Sequence, residues 1–294
     1  MKKNTIIVTG GAGFVGSNLI ELLLKKTSFK IISLDNYSTG SYSNHFKNKK
    51  VIYIKTHTKN ISKILNKKKK KINSIFHFGE FARIYQSFNK LSECIESNSI
   101  GSFEVFKFCL DNKIKLIYSA TSASLGNKGK DKNLSPYAFT KSNNLEFLEN
   151  IKKWFNFKFE IIYFYNVYGP RQISKGYMAT VIGIFEEEFS KKKTLPVVKP
   201  GTQSRRFTHI KDTVDVCYEA WKKNKSKHYS ISNKKSYTIL KVAQMFKSKI
   251  KFLPARKGER YASALTNMNL SNKVIKKFGK VDLKEYITQI TKKK

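Results

Sequence analysis

The 294-residue chain has few cysteines, few arginines and few acidic residues, and it contains no long apolar run. Cys94, Cys109 and Cys217 stand far apart and form no C-x-x-C pair. That spacing argues against a disulfide framework or a zinc site and fits reduced structural thiols; no metal is expected. No apolar stretch approaches the roughly 18 residues that a membrane span needs. After Met1-Lys2-Lys3, the run Ile6-Ile7-Val8 is too short for a signal peptide and reads as a first strand. A cytoplasmic protein without a membrane partner is the expectation. Twenty acidic residues face 58 basic ones, a net charge of +38. Only six of the cations are arginine: Arg83, Arg171, Arg205, Arg206, Arg256 and Arg260. Arginine is the bidentate reader of phosphates and base edges, whereas lysine is a solvated point charge. Lysines spread along the whole chain therefore indicate a compositional bias with weak polyanion adhesion, and no specific nucleic-acid partner is expected.

There is no internal repeat and no long linker. The first two-thirds alternates β-branched runs with helical stretches, the pattern of an α/β fold with a doubly wound parallel sheet and crossover helices. Strands are expected at Thr5–Thr9, Lys30–Leu34, Val51–Ile54, Ser74–Phe78, Lys115–Ser119 and Glu160–Tyr165. Helices are expected near Phe14–Lys26, Ile61–Lys70, Leu91–Asp111 and Tyr137–Phe155. Beyond Gly169, Pro170, Pro196, Pro200 and Pro254 punctuate loops between helices near Met178–Lys193, Lys211–Lys223 and Ile239–Lys249. This texture predicts a smaller second lobe.

The first strand runs straight into Gly10-Gly11-Ala12-Gly13-Phe14-Val15-Gly16 and then a helix. The spacing Gly10-x-x-Gly13-x-x-Gly16 supplies a tight turn, a bare backbone for pyrophosphate and close helix–strand packing. The helix start, with Phe14 and Val15, offers N–H groups to phosphate. Asp35 closes the second strand, 19 residues after Gly16, where a carboxylate accepts ribose hydroxyls. Asn36-Tyr37-Ser38 carries no cation for a 2′-phosphate, so NAD is expected rather than NADP. Residues 1–168 thus read as a Rossmann-type NAD-binding domain to which 205–232 returns, with 169–294 mainly a substrate-binding lobe.

Ser135-Pro136 signals a helix start, and the following Tyr137-Ala138-Phe139-Thr140-Lys141 puts a phenol and an ammonium on one helical face. A nearby ammonium favours the phenolate over the reference phenol pKa of about 10. A fall of about 3 units corresponds to roughly 4 kcal/mol of differential stabilisation. With the glycine turn, this pair gives the chain its resemblance. It resembles the extended short-chain dehydrogenase/reductases, in the NAD-dependent sugar-nucleotide epimerase and dehydratase branch, and most of all the UDP-glucose and UDP-N-acetylglucosamine 4-epimerases. The matching segments are TGGAGFVGSNL, SLDNYSTG, FHFGEFAR, NSIGSFEVF, YSATSASLG, SPYAFTK, FYNVYGPRQ, GTQSRRFTHIKD and RKGE.

The resemblance implies that Tyr137 is the catalytic base and that Lys141 is its partner, also bound to the nicotinamide ribose. It implies that Thr121 hydrogen-bonds sugar and phenol, with Ser122 and Ser119 as neighbouring alternatives. Asn98 matches an asparagine that supports the active-site helix. Phe78 and Gly79, with Tyr165, fall along the cofactor, and His77 beside them reads as a packed structural residue. Asn166, Arg205 and Arg256 match positions that hold the nucleotide's phosphates, where a bidentate fork is useful. Ser263 falls at a gate that is bulky in epimerases restricted to plain hexoses, so an N-acetylhexosamine is admitted. The family commonly forms homodimers by packing the two long helices into a four-helix bundle.

Related dehydratases and decarboxylases carry an acid just after the catalytic Thr or Ser. Here Thr121 is followed by Ser122-Ala123, so the acid–base pair for those reactions is missing. Reversible oxidation at one carbon remains, which is the chemistry of a UDP-sugar 4-epimerase; a 4-keto-sugar reductase or a dehydratase is the alternative. Three departures stand out. The third strand ends in Lys55-Thr56-His57-Thr58 without the usual acid. Gly126–Ser135 is short and rich in lysine. Arg206 replaces an Asp or similar residue.

Overall fold

The structure, a computed structural model, describes residues 3–122, 132–255 and 274–292. Strand β1 (Thr5–Thr9) is buried at every residue and leads through the glycine turn into helix α1 (Phe14–Lys26). The chain continues with β2 (Lys30–Asp35), β3 (Val51–Lys55), α2 (Ile61–Leu65) and β4 (Ile72–His77). It then forms α3 (Gln86–Asn89), α4 (Leu91–Ile95) and α5 (Ser102–Asp111), followed by β5 (Lys115–Thr121), α6 (Pro136–Phe155) and β6 (Phe159–Phe164). These strands form a parallel sheet that is covered on both faces. Ile7, on one face, joins a cluster with Leu65 of α2, Phe106 of α5 and Leu148 of α6. Ile6 and Val8, pointing the other way, pack against Leu19, Ile20 and Leu23 of α1. Burial of both faces explains why β1 is a continuous apolar run without polar alternation.

The remaining chain adds β7 (Val167–Tyr168), α7 (Val181–Ser190), β8 (Leu195–Val198), β9 (Ser204–Arg205), β10 (Thr208–His209) and α8 (Ile210–Lys223). It ends with β11 (His228–Ser232), β12 (Tyr237–Thr238), α9 (Ile239–Met245), β13 (Ile250–Leu253), β14 (Val274–Phe278) and α10 (Leu283–Lys292). The large sheet has eight strands in the order β14-β11-β6-β5-β4-β1-β2-β3, and every pairing in it is parallel. Helix α8 packs beside α1 on the sheet, so the segment around 210–232 lies with the large sheet. Strand β14, which belongs to the stretch expected in the second lobe, also joins that sheet. A separate core of Tyr168, Phe185, Leu195, Phe207, Phe246 and Ile287 holds α7, β8, α9 and α10 together. Among the described residues, no helix is long and apolar enough to cross a membrane.

Two expected helices differ in detail. The stretch Leu91–Asp111 is interrupted by a π-helical turn, Glu96–Gly101, between α4 and α5; such turns insert a residue and re-aim side chains near functional sites. The stretch Ile61–Lys70 stops being α-helical at Leu65 and tightens to 3-10 geometry over Asn66–Lys71. The five lysines there meet on adjacent turns, where like charges oppose continuation.

Candidate active site

A cleft of about 510 Å3 runs across the ends of β1, β2, β4, β5 and β6. It lies where the strand order reverses between β1 and β4, the place where open α/β sheets bind ligands. At one end, Gly10 has φ +67°, and a Cβ there would meet the Phe78 and Gly79 backbone at 2.9 Å. A Cβ on Gly16 would lie 2.1 Å from the Gly10 carbonyl oxygen. Gly13 caps α1 without a side-chain hydrogen bond, and it lines the cleft together with Phe14 and Val15, so the first turn's N–H groups lie beside the cleft. Asp35 is 7% exposed. Its carboxylate accepts from Ala12 N at 3.0 Å and from Tyr37 N at 2.8 Å. Burial raises its pKa, against those two hydrogen bonds. Asn36, Phe78 and Gly79 line the same end. A bare glycine cradle beside a buried carboxylate fits a dinucleotide with a free ribose diol.

Helix α6 begins at the other end. Ser135 caps it by accepting from Ala138 N at 3.1 Å, and Pro136 occupies the first turn. This fixes Tyr137 and Lys141 on the face that lines the cleft. Thr121 and Ser122, at the end of β5, line it too. Lys141 is buried, with Nζ 4.3 Å from the centre of the Tyr118 ring. The ammonium donates to the Ser119 carbonyl and to the Glu80 carboxylate. Burial lowers the Lys141 pKa while Glu80 opposes that fall.

Glu80 is the hub of a buried network that begins in the sheet. Phe78 N and Gly79 N each donate to Thr9 Oγ1 at 3.0 Å, so the Thr9 hydroxyl proton turns to His77 Nδ1 at 2.7 Å. His77 Nε2–H then faces Ser102 Oγ at 3.0 Å, and Ser102 donates to Glu80 Oε1 at 2.8 Å. The donor sequence assigns a neutral imidazole protonated at Nε2. Burial agrees, pushing the His77 pKa down to about 4. Tyr118 OH at 2.9 Å and Asn144 Nδ2 at 3.2 Å complete the donors around Glu80 Oε1.

Arg83, three residues further on, is partly buried and lines the cleft. Its Nε and Nη2 donate to the Met178 carbonyl at 2.9 and 2.5 Å, and Nη1 donates to the Ala82 carbonyl at 2.8 Å. Among the described residues it makes no salt bridge. Glu80 and Arg83 both fall in the matching segment FHFGEFAR, but the sequence reading assigns neither a role. A further signal is that an acid and one of the six arginines flank an otherwise apolar turn.

The other expected site residues divide. Asn166, with φ +40°, donates to the Arg206 carbonyl at 2.9 Å and lines the cleft. Arg205, on β9 where it pairs with β12, lines the cleft, with Nη1 on the Ser204 carbonyl at 2.8 Å. Asn98 is fully buried and does not line the cleft. It lies in the π-helical turn and braces the Phe81 backbone, accepting from N at 2.7 Å and donating to O at 3.0 Å, while its own carbonyl accepts from Asn144 at 2.6 Å. Tyr165, expected along the cofactor, is 1% exposed and belongs to the sheet core. Phe164 and Asn166 flank it on the cleft side, because successive residues of an extended chain point to opposite faces. Arg256 and Ser263 lie outside the described residues.

Comparison with known proteins agrees with this layout. An uncharacterized protein from Methanocaldococcus jannaschii is 27% identical over 313 aligned residues, covering 97% of this chain and 94% of the relative. A UDP-N-acetylglucosamine 4-epimerase from Methanobrevibacter ruminantium, solved with UDP-N-acetylmuramic acid, is 25% identical. It superposes with a TM-score of 0.85 over 99% of this chain and 98% of that one. A Thermus thermophilus UDP-glucose 4-epimerase solved with NAD shares the fold, with 22% identity and a TM-score of 0.83 over 98% of each chain. The family model for the NAD dependent epimerase/dehydratase family matches residues 6–232. With the glycine cradle, the buried Asp35 and the Tyr137–Lys141 helix on one cleft, the chain belongs to the NAD dependent epimerase/dehydratase family, and NAD is its cofactor.

Proposed function

We infer that the chain is a 4-epimerase of a UDP-sugar, either a UDP-hexose or a UDP-N-acetylhexosamine, working through a transient 4-keto sugar. One observation carries this reading: a single cleft has the glycine turn and Asp35 at one end and Tyr137, Lys141, Thr121 and Ser122 at the other. NAD, when bound, supplies the redox chemistry by taking a hydride and returning it. The chain's own groups handle the protons and the positioning. The Tyr137 oxygen takes the 4′-hydroxyl proton during oxidation and returns one during reduction. Thr121, or its neighbour Ser122, hydrogen-bonds the same hydroxyl. Lys141 has two of its three N–H donors on Glu80 and Ser119, which leaves the third for the nicotinamide ribose. Asn166, Arg205 and Arg256 hold the pyrophosphate, and Ser263 leaves room for an N-acetyl group.

A dehydratase needs a carboxylate able to remove a proton beside the ketone. Among the described residues, the carboxylates lining the cleft are Asp35, at the dinucleotide end, and Glu80, engaged by Lys141. That favours epimerisation. The protein acts as a cytoplasmic homodimer in this reading, with α5 and α6 packed against their copies; neither a membrane nor a specific nucleic acid takes part. Incubation of the purified protein with UDP-glucose and with UDP-N-acetylglucosamine, without added cofactor, tests it. Interconversion with the galacto epimer is expected. A keto-sugar consumed together with NADH or NADPH, and no epimer formed, would replace the epimerase with a reductase.

A further inference from the structure

We propose that the end of the large sheet remote from the cleft docks on an anionic lipid surface, through a row of lysines that the fold gathers from the whole chain. The sheet is parallel throughout, so every segment entering a strand lies at one end of it, and the cleft lies at the other. Exposed lysine marks the entry to seven of the eight strands. Lys3 precedes β1 and Lys30 opens β2; KNKK leads into β3, NKKKKK into β4, DNKI into β5, NFK into β6 and NKSK into β11. The cleft end differs: the four residues that follow each of β1, β2, β4, β5 and β6 contain no lysine. Lysines that look evenly spread along the sequence are thus concentrated by topology.

Backbone hydrogen bonds hold these segments side by side. Lys30 N donates to the Asn4 carbonyl at 2.9 Å, Ile31 N to the Lys50 carbonyl at 2.7 Å and Asn4 N to the Lys71 carbonyl at 3.0 Å. Lys3 Nζ reaches the Lys113 carbonyl at 3.4 Å. Seven neighbouring strands make the row about 30 Å long. Among the described residues, no lysine of the entering segments forms a salt bridge. The acids nearby are engaged elsewhere: Asp111 with Lys107, Glu149 with His228 and Glu219 with Lys223 and Lys277, while Glu160 is buried. The row contains no arginine. Solvated point charges suit the diffuse potential of lipid headgroups, whereas reading a nucleic acid favours the guanidinium fork. At the same end, α6 closes with Lys152-Lys153-Trp154-Phe155, where Trp154 is 63% and Phe155 60% exposed. Aromatic rings beside lysines are the composition of a membrane–water interface. Docking there turns the cleft away from the lipid, and the reaction itself needs none; the row holds the protein at a surface.

The test separates the placement of charge from its total. The full-length protein is co-sedimented with vesicles of phosphatidylcholine alone and with vesicles containing about 30% phosphatidylglycerol. Binding is expected only to the anionic vesicles, and it should be lost between about 0.1 M and about 0.5 M salt. Two variants then remove the same charge from different places: Lys50→Gln/Lys70→Gln/Lys113→Gln/Lys158→Gln along the row, and Lys192→Gln/Lys193→Gln/Lys241→Gln/Lys247→Gln in the smaller lobe, all exposed positions. A lysine close to an anionic surface strengthens binding by about fivefold, so the row variant should lose at least about a hundredfold and the lobe variant less than about fivefold. Trp154→Ala/Phe155→Ala should also weaken vesicle binding. Equal losses in the two lysine variants, or no binding by the wild type, overturn the proposal. A duplex oligonucleotide that binds more tightly than the anionic vesicles at the same salt overturns the lipid assignment. Neither set of lysines lines the cleft, so turnover is read separately and its failure leaves the vesicle result standing.

Discussion

The Lys141 ammonium is held against the Glu80 carboxylate, a residue from the turn after β4 and far from Lys141 in the chain, with both side chains almost completely removed from solvent. Breaking such a pair from one side leaves a buried charge without a partner, at a typical cost of about 3–5 kcal/mol. Glu80→Ala should therefore lower unfolding free energy by about that amount. Glu80→Gln, which keeps a hydrogen-bond acceptor, should cost clearly less. Urea denaturation of the three proteins checks the order.

Asp35 accepts two backbone N–H groups while lining the cleft, so it both fixes the turn and presents oxygen to a ribose. Hydrogen bonds to a charged group contribute roughly 1.5–3 kcal/mol. Asp35→Ala should weaken NAD binding by about tenfold to a hundredfold and narrow the preference for NAD over NADP. Parallel calorimetric titrations with the two dinucleotides measure both effects.

His77 gives a pH signature. Its folded pKa of about 4 lies below the ordinary value of 6.5, so the unfolded chain binds a proton that the native imidazole does not. Stability should fall as pH drops from about 6.5 towards 4, by up to about 3 kcal/mol from this residue. Above pH 6.5 the effect should vanish. Comparing denaturation midpoints of the wild type and His77→Gln across that range isolates the contribution, because the variant should show a shallower acid slope.

On α5, Phe103 is 45% exposed and its ring lies 5.9 Å from Phe147 of α6; Ile100 beside it is 50% exposed. An apolar stripe shared by these two helices fits burial against a second copy. Ile100→Lys/Phe103→Lys should shift the protein from dimer to monomer in sedimentation equilibrium without unfolding it. An unchanged mass would remove this face from the assembly.

Much of this fold was legible before any coordinates. Five of the six expected sheet strands are apolar runs buried on both faces, which their composition marks, and the edge strand β3 is marked by its β-branched residues although it is only partly buried; the glycine turn and Tyr137-x-x-x-Lys141 are local patterns on rigid elements. Strands β11 (HYSIS) and β14 (VIKKF) were not legible, because serine, histidine and lysine interrupt them and parallel pairing, not local preference, makes them strands. Tyr165, just past β6, packs in the sheet core while its neighbours Phe164 and Asn166 line the cleft, a one-residue change of face that the sequence does not reveal. Glu80 and Arg83 escaped for another reason: their meaning lies in contacts with residues far along the chain. No acid follows Thr121 in the sequence, yet the cleft contains Glu80, delivered from the turn after β4.

The account stands or falls with the Tyr137 oxygen, and Tyr137→Phe removes that oxygen alone. In the purified variant, NAD content and single-turnover epimerisation of the preferred UDP-sugar should be measured together. The expected result is NAD retained at the wild-type level with epimer formation reduced by at least about a thousandfold, in keeping with the loss of a general base and its electrostatics. Near-normal epimer formation in that variant would contradict the account.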